Sequence, residues 1–377
     1  MTLRSLCRAA ATALGLVAAA VPAATVYTGD RVDDVPVISA LDVSDLAPGK
    51  THRLMFQGVE MGSGQHWYVP VMVAKGIRPG KRVLLVAGVH GDELNPIGVV
   101  QQVFADLDAT KLSGSVIGII GPSRPGVDHV TRMWPTTNLG VNLINPNRTW
   151  SPPGPEVADA NSVARHSWLV MNRLIKGNAD VGVDLHTGGN GIDFALFAFA
   201  NYKDPEAQQL ARLFPIDQIL LEPGFDGTLE YALVRAGIPA ITLELGGPRG
   251  FHPAMIKAGV TGARNILSHY KMIEAPIGET TADRALFTGN KLDDIFATAS
   301  GFTEVRVKLN DSVKAGQVVA VQRNSFGDII KTYTAGSDGR VAIIGTDAIR
   351  ERGVDVVSIL TNTPDCAKGC PYSGDEP

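Results

Sequence analysis

Short apolar runs alternate with helix-period stretches over most of this chain. WYVPVMVA at 67–74, VLLVA at 83–87, SVIGII at 115–120, DVGVDLH at 180–186, and the segments 194–200, 218–221 and 240–245 have strand length. Near-continuous apolar runs of that kind mark strands buried on both faces. Between them, apolar positions recur at helical spacing over about 97–107, 157–176, 228–236 and 253–273. Strands alternating with helices predict an α/β fold, with a mostly parallel mixed sheet flanked by helices. Residues 76–81, with Pro79-Gly80, read as a turn, and 25–53 as a polar lead-in.

The rhythm changes near residue 275. Residues 276–300 read as a linker, and 301–362 as short β-rich runs separated by turns. VKLNDSVKAGQVVAV and SDGRVAIIGTDAIRERGVDVVSIL form two related halves, each with a hairpin and a Gly turn. That pattern predicts a small β-barrel or sandwich module, followed by a tail over 363–377.

The N-terminus differs in kind. Arg4 and Arg8 precede a small-apolar run over 9–24, too short to span a bilayer comfortably. Val21-Pro22-Ala23 offers small residues for cleavage, so 1–24 reads as a secretory signal peptide rather than an uncleaved anchor. A secreted, periplasmic chain with no stable membrane insertion after cleavage follows from that reading. Cys7 lies before the apolar run, the wrong place for a lipoprotein cysteine. Cys366 and Cys370, four residues apart in a Pro/Gly-rich tail, suit a small disulfide loop in an oxidising compartment. A structural zinc pair is disfavoured, because no further cysteines remain.

At 377 residues, 45% hydrophobic, 19% charged and formally −4, the chain can hold one large domain and a smaller one. Nothing in that balance calls for nucleic acid or an anionic membrane surface.

The chemistry collects at strand ends. VLLVAGVHGDEL places His90 and Glu93 three residues apart where a buried strand gives way to a helix. Alone, H-x-x-E is a common chance match. His186 ends a second apolar strand and Glu244 lies near the end of a third. In parallel sheets, polar groups at the carboxyl ends of strands converge on one crevice. Two imidazoles and a carboxylate would leave zinc an open position for water. Glu244 is placed to take a proton from that water and hand it on, unless it serves as a salt-bridge partner to a neighbour such as Arg249. Residues 121–155 form a long Pro/Gly/Asn-rich loop, a length that usually signals function. Within it, Arg148 beside Asn147 can hold a carboxylate with a bidentate fork, and Arg132 could face a developing oxyanion. Taken singly, either arginine is more often a solvated loop residue.

Together these residues resemble the succinylglutamate desuccinylase/aspartoacylase family, within the wider zinc carboxypeptidase clan. Four motifs carry the resemblance in the family's order, from about Val71 to Tyr270: GVHGDE, NRTWSPPG, DLHTGG and GIPAITLELGG. The resemblance implies a mixed α/β sheet, one zinc per chain, and hydrolysis of an amide bond next to a carboxylate. It makes 25–275 a zinc-dependent hydrolase domain with His90, Glu93 and His186 as ligands. Glu244 becomes the general base and acid, and Asn147 with Arg148 the carboxylate clamp. One departure stands out. The family's Asp-x-Asn-Arg is replaced by Asn145-Pro146-Asn147-Arg148. Asn145 can still accept a hydrogen bond from an imidazole behind the metal, but it supplies no negative charge. The spacing of Arg132 from Arg148 also differs from the family's usual one. Residues 301–360 resemble a biotinyl/lipoyl-type β-module without a modifiable lysine hairpin, so no attached cofactor is expected there.

The expected activity is a secreted zinc-dependent deacylase acting on N-acyl amino acids or similar small carboxylate-bearing amides. A carboxypeptidase or amidase trimming peptides or cell-wall fragments uses the same chemistry and is the alternative. A non-catalytic ligand-binding protein is a third reading, which the complete set of His90, Glu93, His186 and Glu244 argues against.

Overall fold

The apolar runs become the centre of an eleven-stranded mixed sheet in the computed structural model, which describes residues 24–137, 142–151, 160–366 and 370. The expected leader over 1–24 lies outside the described residues except for Ala24, as do 152–154 of the NRTWSPPG motif and the tail from 371.

In chain order the strands are β1 (Val26–Val32), β2 (Val35–Ala40), β3 (Lys50–Glu60), β4 (His66–Lys75), β5 (Arg78–Ala87) and β6 (Ser113–Ile120). They continue with β7 (Val181–His186), β8 (Leu196–Asn201), β9 (Gln218–Glu222), β10 (Ala240–Leu245) and β11 (Phe287–Gly289). Across the sheet they lie β1-β2-β3-β4-β6-β5-β7-β10-β8-β9-β11. Neighbours β6, β5, β7 and β10 run parallel, whereas β8 runs antiparallel to β10.

Helices cover both faces. They are α1 (Asn95–Asp106), α2 (Arg124–His129), α3 (Ser162–Val170), α4 (Pro205–Arg212), α5 (Leu229–Arg235) and α6 (Pro253–His269). Side chains alternate across a strand, so β5 feeds two cores. Val83, Leu85 and Ala87 pack with Val99, Val103 and Ile266 on one side. Leu84 and Val86 pack with Leu174 and Leu233 on the other. Each fully buried aliphatic side chain contributes about 1.5–3 kcal/mol by leaving water.

Four expectations need correction. The polar lead-in over 25–53 is β1, β2 and the start of β3; β1 is a largely exposed edge strand, which hides its character in the sequence. The turn over 76–81 is shorter, because β5 already begins at Arg78 and pairs with Ser113. The long helix ends at Val170, and a wider π turn over Met171–Ile175 follows it. The linker over 276–300 is ordered, holding β11 and the strand Lys291–Phe296. Apolar contacts explain that order, since Leu292 packs into a core with Phe197 and Leu220.

The C-terminal region is two small sheets with a core of their own, which includes Val319, Tyr333, Val341 and Ile359. One sheet takes in a strand of the main domain: Ile192–Phe194 pairs with Gly339–Gly345, placing Phe194 opposite Ile343. The contact core joins Ala195, Phe197 and Leu220 to Leu292, Ala342, Ile343 and Leu360. The buried amide of Gln218 donates to Val341 O at 2.9 Å across the same contact. Cys366 and Cys370 are joined by a disulfide.

Truncation after Ala275 is expected to abolish cooperative folding. It strips Phe197 and Leu220 of their partners, and comparable core deletions cost about 2–5 kcal/mol per large side chain. A truncated chain that stays soluble and melts in one sharp calorimetric transition would contradict this.

Candidate active site

β5 ends at Ala87, and Gly88 turns the chain with a φ of +78°, a conformation glycine adopts without strain. His90 and Glu93 lie in the turn that follows, ahead of the first residue of α1. Gly91 packs this turn against α2. A Cβ there would stand 1.8 Å from the carbonyl carbon of Gly126, and the Gly91 N–H donates to Thr131 O at 3.0 Å. The approach is possible only without a side chain. It brings His90 Nδ1 within 2.7 Å of Glu93 Oε1.

His186 is the last residue of β7, and its Nδ1 stands 2.8 Å from Glu93 Oε2. The Thr187 N–H donates to the same oxygen at 3.1 Å. One ligand atom from each of His90, Glu93 and His186 lies within 4.8 Å of the others, and all three side chains are buried. Behind the rings, His90 Nε2 meets Asn145 Oδ1 at 2.9 Å. His186 Nε2 lies 3.0 Å from Asp184 Oδ2, an ion-pair approach off the hydrogen-bond line. Both imidazoles therefore turn Nδ1 inward and rest Nε2 on an anchoring oxygen, the arrangement that orients metal-binding histidines. A His90 tautomer that donates its Nε2 proton to Asn145 turns the Nδ1 lone pair toward the ligand set. The donor set fits a zinc ion with an open side.

The charges sort themselves accordingly. Burial would raise the Glu93 carboxyl, yet His90 and His186 outweigh it and hold the group well below the usual carboxylate range. Burial would lower His186, but Asp184 and Glu93 raise it well above its ordinary value. His90 is lowered, first by burial and then by the charge of Arg132.

Glu244 on β10 is the lateral neighbour of His186 in the sheet register, and both line one cavity. Glu244 Oε2 is buried without a hydrogen-bond partner among the described residues. Burial is the main cause that lifts its carboxyl well above the usual range, which raises its affinity for a proton. The alternative of a salt bridge to Arg249 does not hold. That guanidinium donates instead to Val130 O at 3.1 Å.

The loop residues divide. Arg132 Nη1 sits 2.8 Å from Glu93 Oε1 and 3.1 Å from His90 Nδ1, directly against the ligand set. Asn145 also caps the short turn Pro146–Arg148 by accepting from the Asn147 N–H. Asn147 lines the cavity, but its carboxamide oxygen is taken by the Leu229 N–H at 2.9 Å. Its Nδ2 approaches His186 Nε2 at 3.5 Å. Asn147 thus ties the ligand strand to α5, and Arg148 carries the charge of the expected pair. The Arg148 guanidinium stacks 4.5 Å over the Phe225 ring, also in the cavity wall.

Sequence reasoning missed Asp184, Glu222 and Glu230. Asp184 was available, since it stands two residues before His186 on one strand and so shares its face. Glu222 carried the same signal as Glu244, a carboxylate inside an apolar strand. The wall residues Phe296, Ile343, Asp355 and Ser358 come from the C-terminal region and have no local signal.

Residues 79–270 match the model of the succinylglutamate desuccinylase/aspartoacylase catalytic domain. Among curated proteins, the chain is 28% identical over 261 residues to an N-alpha-acetyl-L-2,4-diaminobutyric acid deacetylase of Halomonas elongata. That match spans 67% of this chain and 73% of the relative. It is 29% identical over 180 residues to a succinylglutamate desuccinylase of Pseudomonas paraeruginosa, spanning 46% of this chain and 52% of that one. In fold it is similar to a succinylglutamate desuccinylase/aspartoacylase from Rhodobacter sphaeroides, with TM-score 0.72, 21% identity, and coverage of 86% of this chain and 98% of the other. The product-bound ectoine utilization protein EutE (DoeB) from Ruegeria pomeroyi gives TM-score 0.72 and 21% identity, covering 85% and 97%.

Gly91→Ala is expected to destabilise the chain by roughly 1–3 kcal/mol, the usual cost of overpacking, and to weaken metal binding by displacing His90 from Glu93. Chemical denaturation and metal titration check both parts; a variant with wild-type midpoint and affinity would show that the Gly91–Gly126 approach is not needed.

Proposed function

We propose that this chain, which belongs to the succinylglutamate desuccinylase/aspartoacylase family, is a zinc-dependent deacylase of small N-acyl amino acids that keep a free carboxylate. The observation that carries the reading is the convergence of His90, Glu93 and His186 in one cavity beside Glu244, whose Oε2 has no hydrogen-bond partner among the described residues. The family is one of deacylases, and the curated relatives are named for removing acetyl or succinyl groups from amino acids. Export to the periplasm belongs to the same proposal, on the strength of the N-terminal pattern and the Cys366–Cys370 disulfide.

Zinc held by His90, Glu93 and His186 would acidify water towards a pKa of about 7 and polarise the scissile carbonyl. The remaining work falls to the chain's own groups. Arg148 holds the substrate carboxylate, its plane fixed by Phe225. Glu244, as carboxylate, accepts a proton from the water that attacks the carbonyl carbon. It then delivers that proton to the amide nitrogen as the C–N bond breaks, giving a free acid and an amine. Arg132 faces the oxygen that becomes negative on the way. The C-terminal wall of Phe296 and Ile343 narrows the cavity, which favours acylated amino acids over peptides.

Two measurements test the reading. His186→Ala should lose stoichiometric zinc, because two remaining ligands hold the ion poorly. A purified variant that retains one zinc per chain would mean the ligand set is wrong. Glu244→Gln should keep zinc and lose turnover by roughly 10²–10⁴, the usual worth of a positioned acid–base group. Turnover is counted per zinc-loaded molecule on an N-acyl amino acid panel. Near-normal turnover there would remove Glu244 from the mechanism.

A further inference from the structure

The cavity does not end at the metal ligands. Strand alternation puts Asp184 and His186, Thr242 and Glu244, and Phe199 on one sheet face, since Thr242 pairs with Asp184 and Phe199 with Thr242. Glu222 closes the same face at its other end. It pairs with Asn201, one residue beyond Ala200, whose partner is Ile241. Glu222 therefore lies four residues down the sheet from Glu244 and two strands over, roughly 13 Å along the strands and about 10 Å across them. Glu230, in the first turn of α5, lines the cavity with it.

These two carboxyls are 4% and 2% exposed. Among the described residues Glu230 Oε1 has no hydrogen-bond partner. Among the described residues no lysine, arginine or histidine forms an ion pair with either group. Burial alone lifts Glu222 to about 7. Burial, with the charge of Glu222 next, lifts Glu230 well above the usual range. Two buried carboxyls in one cavity, with no ion pair to either among the described residues, are costly for a fold to keep. A ligand that brings positive charge removes that cost.

We propose that Glu222 and Glu230 form a cation subsite that takes the side-chain ammonium or guanidinium of a basic amino acid, the amine half of the acylated substrate. The distance decides which cation. The nitrogen of the scissile amide sits at the metal ligands, so a positive group reaching Glu222 must lie several bonds away. Among the basic amino acids, a long side chain such as that of lysine or arginine comes nearest to bridging that gap. Phe199 and Thr242, between the two ends, offer one apolar and one polar surface along the way. The place of this subsite in catalysis rests on the deacylase reading; its preference for a cation does not.

The zinc-loaded full chain is assayed with Nα-acetyllysine and with Nα-acetylnorleucine, which has the same carbon chain and no ammonium. The ratio of their kcat/KM values is expected to favour lysine by roughly 10- to 1,000-fold. In Glu222→Gln and in Glu230→Gln that ratio should fall toward one, mainly through KM, with melting temperature recorded on each sample. A wild-type ratio near one, or a ratio unchanged in both variants, overturns the subsite. Calorimetric binding of free lysine against free norleucine supplies an arm independent of turnover. Lysine bound more tightly, with the preference lost in the variants, supports the subsite even if no acyl amino acid is cleaved, in which case the deacylase reading falls alone. Efficient cleavage of both substrates with no lysine preference leaves the deacylase reading standing and sinks the subsite.

Discussion

One carboxylate, that of Glu93, joins the two imidazoles of this site, and it is 1% exposed. A charge so deeply buried is tolerated only when each oxygen is paired. Oε1 meets His90 and Arg132, and Oε2 meets His186 and the Thr187 N–H. Those partners come from three separate stretches of chain. Their meeting requires β5 and β7 to be parallel neighbours that end at the same level, as they do with Ala87 opposite Leu185. The sheet order and the electrostatics of the site are thus one constraint.

The same sheet also supplies the cavity floor. Because β7 and β10 are buried on both faces, their polar residues on one face could not be solvated as on an ordinary surface. His186, Thr242 and Glu244 instead look onto a space that α5 and the C-terminal region enclose, with Asp184 behind His186. That region is consequently part of the site's structure. Phe296, Ile343 and Ser358 face the cavity, while the neighbouring Leu292 and Leu360 hold the wall against Phe197 and Leu220.

What the sequence made legible follows from where burial is two-sided. VLLVA and AITLEL announce themselves as strands because both faces are apolar, and their polar ends stand out by contrast. His90, Glu93, His186 and Glu244 were visible for that reason. β1 was not, since six of its seven residues are exposed and its alternation carries no signal. α4 was missed because PEAQQLAR is mostly polar, although Asp204 followed by Pro205 is a start signal and Asp204 does cap the Glu206 and Ala207 N–H groups. Glu222 and Glu230 joined the site only through the register of β8 with β9 and the docking of α5. Asn147 was read from its motif position, and the structure adds that its carboxamide oxygen accepts from the Leu229 N–H while the residue lines the cavity.

Buried polar atoms in folded proteins are nearly always paired. Here Glu230 and Glu244 each keep a buried oxygen without a hydrogen bond among the described residues, and both line the same cavity. An unmatched neutral group costs about 1–3 kcal/mol and an unmatched charge more. Holding both in one place means that this end of the sheet is less stable than its packing alone would give. The deficit is recovered when metal and substrate supply the missing partners. Binding and folding stability are then coupled through the same atoms, and a ligand at a hundredfold excess over its Kd adds about 2.7 kcal/mol to the folded state. Reduced stability and reactivity meet in this cavity because both follow from carboxyl groups held away from water.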